Sequence, residues 1–356
     1  MPYTILSDQL NGRNNNLNLI RVSAALLVLV SHSFAIVSGD TKFEPLRRTY
    51  GLTLGSVSVD VFFIVSGLLV TQSLLKRSSA VAFAWARTLR IWPGLLISLF
   101  LVAYVIGMIV TDLPAQQYLL STEPLRFILQ GVKLASSLPE LPGVFTTNPF
   151  GNSVNISLWT LPIEVRMYAY LLVAWIISRA SHRLKNQTFL IIITLAFMYY
   201  STRHFASQSG TIEASAPRLP FMFFSGALAC LFSKYVKISE IYGILAISIL
   251  ISSIVCAGSF FFIAYSVTLW YIVLWLAYRP RGLLRIYNLV GDYSYGLYIY
   301  AWPIQQATIS LLPRLSTLEH IAISGAVTLC LAIISWHLIE RPALNFTRLL
   351  RRVHSP

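Results

Sequence analysis

An arginine and a histidine share one face of the first apolar block of the chain. Arg21 and His32 are eleven residues apart, which on an α-helix places them about 20° apart around the axis and roughly 16 Å apart along it. Neutral imidazole can act as a general base near neutral pH. The alternative is a histidine that only packs against another helix, with Arg21 extending its charge to the membrane surface. The shared face favours a functional pair.

Two acids lie in otherwise apolar stretches. Asp60 could orient a histidine or bind a sugar hydroxyl, or it could lie at a helix start where the helix dipole favours it. Glu164 is two residues from Arg166, so the two side chains point away from each other and need different partners. Because charged groups in a bilayer are costly, we take His32, Asp60 and Glu164 as candidate catalytic residues.

Two further arginines suit the binding of an anion. Arg87 and Arg90 are three residues apart, on one helix face at the predicted inner end of the third span. Two forked guanidinium groups suit the phosphates of a nucleotide-containing substrate, although basic residues at this place commonly serve only as anchors. At the end of the last span, Glu340 and Arg341 are interpreted as a surface pair.

The composition predicts a membrane protein. Of 356 residues, 56% are hydrophobic and 11% are charged, whereas soluble domains average about a quarter charged. The apolar blocks are long enough to cross a hydrocarbon layer of about 30 Å. We expect an all-α integral membrane protein with a single domain, 1–356, about ten transmembrane helices and both termini cytoplasmic. The predicted spans are 17–38, 56–75, 91–111, 156–178, 188–203, 217–233, 239–257, 259–278, 289–312 and 319–340.

The basic excess agrees with this topology. The formal net charge is +14, from 27 Lys and Arg against 13 Asp and Glu. With the N-terminus inside, most of the basic residues fall on cytoplasmic segments, as the positive-inside rule requires. No nucleic-acid partner is therefore expected.

Smaller features complete the prediction. The first apolar block is too long for a cleaved signal peptide and is expected to be a retained helix. Segment 124–138 is amphipathic and short, which indicates an interfacial or re-entrant element. The cysteines show neither metal-ligand nor disulfide spacing, so we expect no metal site and interpret as packing residues Cys230, Cys256 and Cys330.

Six stretches, in order, resemble the acyltransferase-3 family of membrane acyltransferases. The first is the pair of Arg21 and His32, which are separated by ten residues, and the second is VDVFFIVSGLL around Asp60. The third is the Arg-x-x-Arg element at Arg87 and Arg90, and the fourth is SLWTLPIEVRMY around Glu164. The last two are SYGLYIYAWPI and the closing IERP. Each motif is weak alone, and their order from about residue 17 to 345 makes the resemblance strong.

The resemblance implies a ten-helix bundle in a bacterial inner membrane that moves an acyl group, usually acetyl, to a sugar hydroxyl. The donor implied is cytoplasmic acetyl-CoA, and the acceptor is a lipid-linked or surface glycan on the periplasmic face. The resemblance assigns the role of base or acyl relay to His32. It assigns the donor's phosphates to Arg21, Arg87 and Arg90.

Two departures from the family pattern limit this transfer of roles. Many members have a histidine where this chain has Ala301, so no role for that histidine is carried over. The soluble esterase-like domain that some members carry after the last span is expected to be absent here.

The alternative function is that of a transporter or flippase for a glycolipid or small solute, although no inverted repeat is detected. A non-catalytic membrane scaffold is the least favoured function, because it would bury His32, Asp60 and Glu164 at a cost without using them.

Overall fold

The computed structural model describes residues 3–12, 14–76, 79–180, 183–206, 216–256 and 258–346. Its α-helices are α1 (Leu6–Leu10), α2 (Leu17–Ser38), α3 (Arg47–Tyr50), α4 (Leu54–Leu75), α5 (Ala80–Phe100), α6 (Gly107–Val110), α7 (Ala115–Leu120), α8 (Glu123–Val132), α9 (Leu161–Arg179), α10 (Lys185–Ala206), α11 (Arg218–Leu231), α12 (Glu240–Cys256), α13 (Gly258–Tyr278), α14 (Ser294–Leu311) and α15 (Thr317–Ser335). Two strands, β1 (Tyr3–Ile5) and β2 (Lys237–Ser239), pair antiparallel.

Each predicted span overlaps a described helix, and among the described residues seven helices are long and apolar enough to cross a membrane. These seven are Leu17–Ser38, Leu54–Leu75, Ala80–Val110, Ile156–Arg179, Lys185–Ala206, Phe260–Tyr278 and Thr317–Phe346. Two shorter apolar helices are Arg218–Leu231 and Glu240–Val255. The chain is a helical multi-pass membrane protein. The count of ten spans and the side of the termini stay predictions.

Two of the described spans contain a π-helical turn. The third begins at Ala80, well before the predicted start at residue 91, and contains the π-helical turn Leu101–Ile106 between α5 and α6. The last continues from α15 into the π-helical turn Trp336–Glu340. Such turns are rare and are frequent at functional sites.

The helices fall into two compact units. The first unit contains residues 1–24, 46–83 and 165–292, and the second contains residues 25–45, 84–164 and 293–356. The helix α2 contributes its first residues to one unit and the rest to the other.

A close helix crossing holds the first unit together. A Cβ added to Gly67 of α4 would lie 1.9 Å from Phe223 O, and one added to Gly226 of α11 would lie 2.0 Å from Ile64 O. Each helix therefore places a glycine against the backbone of the other, the usual device for close packing in membranes.

In the second unit, α14 is the central helix. Of its 18 residues, 15 are buried, so α14 packs against protein nearly all round. It packs closely on α15, where a Cβ added to Gly296 would lie 2.8 Å from the Cα of Ala332. The start of α15 is fixed by a capping box between Ser316 and Glu319, which satisfies two backbone donors.

Candidate functional site

In the second unit, His32 of α2 lies with its ring against Trp302 of α14. The ring centroids are 4.9 Å apart and the planes meet at 81°, which is an edge-to-face contact. The side chain of His32 is partly buried, and its Nδ1 is enclosed without a hydrogen-bond partner among the described residues. Because most buried polar atoms are satisfied, this nitrogen is a candidate for contact with a substrate.

Hydrogen bonds fix the residues on both sides of His32. The hydroxyl of Ser31 donates to Glu44 Oε2 at 2.5 Å, and the amide of Gln305 donates to Ser33 Oγ at 2.6 Å. Both serines are fully buried and Glu44 is buried with them. The turn that carries the imidazole is therefore held from a loop and from α14.

The ring of Trp302 is itself held in place. Its Nε1 donates to Ser153 O at 2.8 Å, and the ring of Phe150 lies edge-to-face on it at 5.2 Å. Both partners belong to residues 148–155, which form neither helix nor strand. This 148–155 segment therefore supports the aromatic contact of His32.

Several hydrogen bonds attach the 148–155 segment along α14. The amide of Gln306 donates to Gly151 O and Ser153 O, both at 3.2 Å. Farther along, Asn155 Nδ2 donates to Ile299 O at 2.9 Å. The segment runs beside more than one turn of the helix, from Gln306 towards its start.

The attachment at Ile299 follows from a proline. Pro303 lies inside α14 and has no backbone N–H, so it cannot donate to the carbonyl four residues earlier. That carbonyl belongs to Ile299 and accepts from Asn155 and, at 3.4 Å, from Ser98 Oγ. Side chains thus replace the helical hydrogen bond.

The 148–155 segment starts at one end of α2 and extends inward. A Cβ on Gly39, just after that helix, would lie 2.7 Å from Pro149 O, and Ser153 already reaches the level of Trp302. Non-helical backbone at membrane depth is tolerated where it is buried in protein or lines a water-filled cavity.

The segment 124–138, predicted as an interfacial or re-entrant element, contains the helix α8. In this helix Phe127 is buried and Leu125 is exposed.

The predicted arginine pair lies on α5 in the same unit. Arg90 Nη1 lies 3.6 Å from Glu340 Oε2, and the side chain of Glu340 is 2% exposed. The guanidinium of Arg90 lies over the ring of Tyr295 at 5.6 Å, and Arg87 is partly buried. The interpretation of Glu340 and Arg341 as a surface pair is wrong, because Glu340 is buried beside Arg90.

Glu164 also belongs to the second unit. It lies in the first turn of α9 and is partly buried, within electrostatic reach of Tyr295 and Tyr298. Arg166 is exposed, and the expectation that the two charges point apart stays a prediction.

In the first unit, Arg21 pairs with an acid that the sequence analysis did not single out. Its Nη1 donates to Asp292 Oδ2, and its guanidinium lies 6.0 Å from the centroid of the Phe62 ring. The side chain of Arg21 is 20% exposed, so part of the guanidinium stays accessible.

Asp60 is completely buried in the first unit. Its Oδ2 accepts from Arg218 Nη1 at 3.0 Å and from Tyr265 Oη at 2.6 Å. The same Arg218 nitrogen donates to Ser56 O at 3.4 Å. These partners make Asp60 part of a network between α4, α11 and α13. From the sequence, a histidine or a sugar hydroxyl was the expected partner of this carboxylate. Its catalytic assignment stays a prediction.

The six predicted site residues divide between the two units. His32, Arg87, Arg90 and Glu164 belong to the second unit, whereas Arg21 and Asp60 belong to the first. Their roles in catalysis and donor binding stay predictions.

Sequence reasoning did not single out several residues that contact the predicted ones or their chain neighbours: Glu44, Arg218, Asp292, Trp302 and Gln305. It named Glu340, but as a surface residue. Two adjacent amides in an apolar helix, Gln305 and Gln306, were a usable signal, because uncompensated amides are costly there. Glu44 lies in a polar loop and gave no signal.

Known proteins resemble this chain over most of its length. A family model described as "Acyltransferase domain" matches residues 14–337. A protein of Shigella phage Sf6 called "O-acetyl transferase" is 29% identical over 347 residues, covering 94% of this chain and 97% of the relative. "Nodulation protein 10" of Rhizobium leguminosarum bv. viciae is 28% identical over 370 residues, covering 94% of each. No solved structure shows significant similarity to the chain. The chain therefore belongs to the acyltransferase-3 family and is an O-acyltransferase.

Proposed function

We propose that this enzyme transfers an acetyl group from cytoplasmic acetyl-CoA to a hydroxyl of a surface or lipid-linked glycan, with His32 as base or acyl relay. The observation that supports this most directly is the buried Nδ1 of His32, which has no hydrogen-bond partner among the described residues. The name of the phage relative supports acetyl as the group transferred.

As base, the imidazole of His32 accepts the proton of the glycan hydroxyl while that oxygen bonds to the acyl carbon. The carbon–sulfur bond of the thioester breaks, and the imidazolium returns its proton to the departing thiolate. As relay, the imidazole nitrogen bonds to the acyl carbon, the carbon–sulfur bond breaks, and the thiolate leaves as a thiol with the proton that the imidazolium loses. The glycan hydroxyl oxygen then bonds to the acyl carbon, the carbon–nitrogen bond breaks, and the hydroxyl proton ends on the imidazole. The contact with Trp302 and the bonds at Ser31 and Ser33 orient the ring in either case.

The donor's phosphates are assigned to Arg87 and Arg90. The guanidinium of Arg90 is oriented by Glu340 and Tyr295, and orientation in advance lowers the cost of binding. The roles of Arg21 in donor binding and of Glu164 in catalysis stay predictions from the sequence. We place the enzyme in a bacterial inner membrane, with the glycan acceptor on the outer face.

The family match and the O-acetyl transferase relative favour the enzyme over the transporter considered above. The test is a mass-spectrometric measurement of acetyl groups on the host glycan, with wild-type chain, His32→Ala and no chain. We expect acetylation only with the wild type. Full acetylation by His32→Ala at equal membrane abundance excludes the histidine. Equal acetylation with and without the chain excludes the acceptor class.

A further inference from the structure

One buried amide reaches the helical turn that carries His32. Gln305 of α14 is 0% exposed. Its Nε2 donates to Leu29 O at 2.7 Å and to Ser33 Oγ at 2.6 Å. The two amide hydrogens of Gln305 are therefore donated to Leu29, three residues before His32, and to Ser33, one residue after it.

Those two acceptors belong to one hydrogen-bonded group. Ser33 Oγ donates to Leu29 O at 3.1 Å, a side-chain bond back to the preceding turn that bends helices. The amide of Gln305 bridges the same two residues and sets the position of the serine hydroxyl. The backbone between them, including His32, is fixed by three bonds.

The same helix also contacts the ring of His32. Trp302 precedes Gln305 by three residues, so both lie on one face of α14, and the Trp302 ring meets the imidazole at 4.9 Å. One face of α14 thus contacts the imidazole and its backbone together.

Gln305 is in turn held from α15. His320 is 0% exposed, and its Nε2 lies 2.9 Å from Gln305 O. Because a carbonyl only accepts, His320 Nε2 is the donor. The Gln305 side chain therefore starts from a backbone that is itself fixed.

We propose that Gln305 is a positioning residue for His32, acting through Ser33 and Leu29. The proposal rests on the proposed role of His32 in acyl transfer. A displacement of about 1 Å in a reacting group can cost roughly a hundredfold in rate, so loss of these two bonds affects transfer through the imidazole position.

The next residue provides a matched control. Gln306 is also 0% exposed, but its amide donates to Gly151 O and Ser153 O in the 148–155 segment. Replacing either glutamine with methionine removes one buried amide of the same size from the same helix. Only Gln305→Met removes bonds to the turn of His32.

The experiment uses the full chain in membranes and measures two quantities. Carbethoxylation by diethylpyrocarbonate, followed by mass spectrometry of the peptide that contains His32, reports access and basicity of the imidazole without requiring turnover. Transfer from acetyl-CoA to the host glycan gives kcat and the KM for the donor.

For Gln305→Met we expect the His32 labelling rate to change about fivefold and kcat to fall roughly tenfold or more, with the donor KM within about twofold. For Gln306→Met we expect a clearly smaller change in His32 labelling, because Gln306 reaches the ring only indirectly, through the 148–155 segment and Trp302. Equal changes in the two variants, no change in Gln305→Met, or changed labelling with normal kcat each overturn the proposal.

A smaller change guards against loss of folding. Ser33→Ala removes only the hydroxyl that Gln305 contacts, and we expect it to change labelling in the same direction as Gln305→Met. If Gln305→Met does not accumulate, unchanged labelling and kcat in Ser33→Ala overturn the proposal.

His32→Ala separates this proposal from the proposed function. Normal transfer by His32→Ala removes the histidine from the reaction and overturns both proposals. Loss of transfer in His32→Ala, together with normal labelling and kcat in Gln305→Met, overturns only the positioning role.

Discussion

The carboxylate of Glu340 lies 3.6 Å from the guanidinium of Arg90, and both groups are largely removed from solvent. Glu340 ends the π-helical turn Trp336–Glu340, and Ser335 Oγ donates to it at 3.1 Å. The predicted donor-binding arginine therefore has an acid that orients it.

Removing that acid leaves a buried guanidinium with less compensation. We expect Glu340→Ala to lower the free energy of unfolding by about 3 kcal/mol, measured by thermal or denaturant unfolding in detergent. Glu319→Ala on the same span is the control, because that acid is exposed and belongs to the helix cap. Equal losses in the two variants contradict a buried pair.

The arginine pair is expected to act on the donor. Arg87→Ala and Arg90→Ala should each raise the KM for acetyl-CoA about tenfold or more, because each removes charged hydrogen bonds to phosphate. Arg179→Ala removes an arginine that lies over the Trp175 ring and should leave the KM unchanged. An unaltered KM in both α5 variants excludes the phosphate assignment.

Asp60 and Arg218 are expected to be energetically coupled. Each single alanine variant leaves a buried charge in the first unit, at a cost of about 3–5 kcal/mol. Asp60→Ala combined with Arg218→Ala should cost clearly less than the sum of the two, as measured by unfolding in detergent. Additive losses would show that the 3.0 Å contact contributes little.

The proline in α14 predicts an unusual coupling. Asn155→Ala should destabilise the enzyme by about 1–2 kcal/mol, because Ile299 O loses its shorter side-chain donor and keeps only Ser98. Pro303→Ala restores a backbone N–H to that carbonyl. The loss from Asn155→Ala should therefore be smaller in the Pro303→Ala background. An equal loss in both backgrounds rules out the replacement of a helical bond.

The glycine crossing in the first unit is expected to tolerate no side chain. Gly67→Ala should cost about 1–3 kcal/mol or more, because its methyl group would meet the Phe223 carbonyl at 1.9 Å. Gly325→Ala is the control, since its nearest contact is 3.9 Å away. The free energies of unfolding of the two variants are compared in detergent. An unchanged value for Gly67→Ala would mean that α4 and α11 can move apart at little cost in free energy.

The amino-acid sequence by itself determined the membrane class and the positions of the helices. Long apolar blocks must satisfy their backbone polar groups internally, so each of them is a helix whatever surrounds it. The first span was predicted as 17–38 and is Leu17–Ser38. The ordered motifs also identified the family correctly, because they depend only on residue types and spacing.

The tertiary structure alone decided the partners of the polar residues. Glu340 and Arg90 are far apart in sequence, as are Gln305 and Ser33, and no helical periodicity relates one helix to another. The 148–155 segment has a loop composition, and it lies along α14 because the carbonyl freed by Pro303 and the side chains of Trp302 and Gln306 offer it partners. Pairing between distant segments depends on packing, which local spacing does not encode.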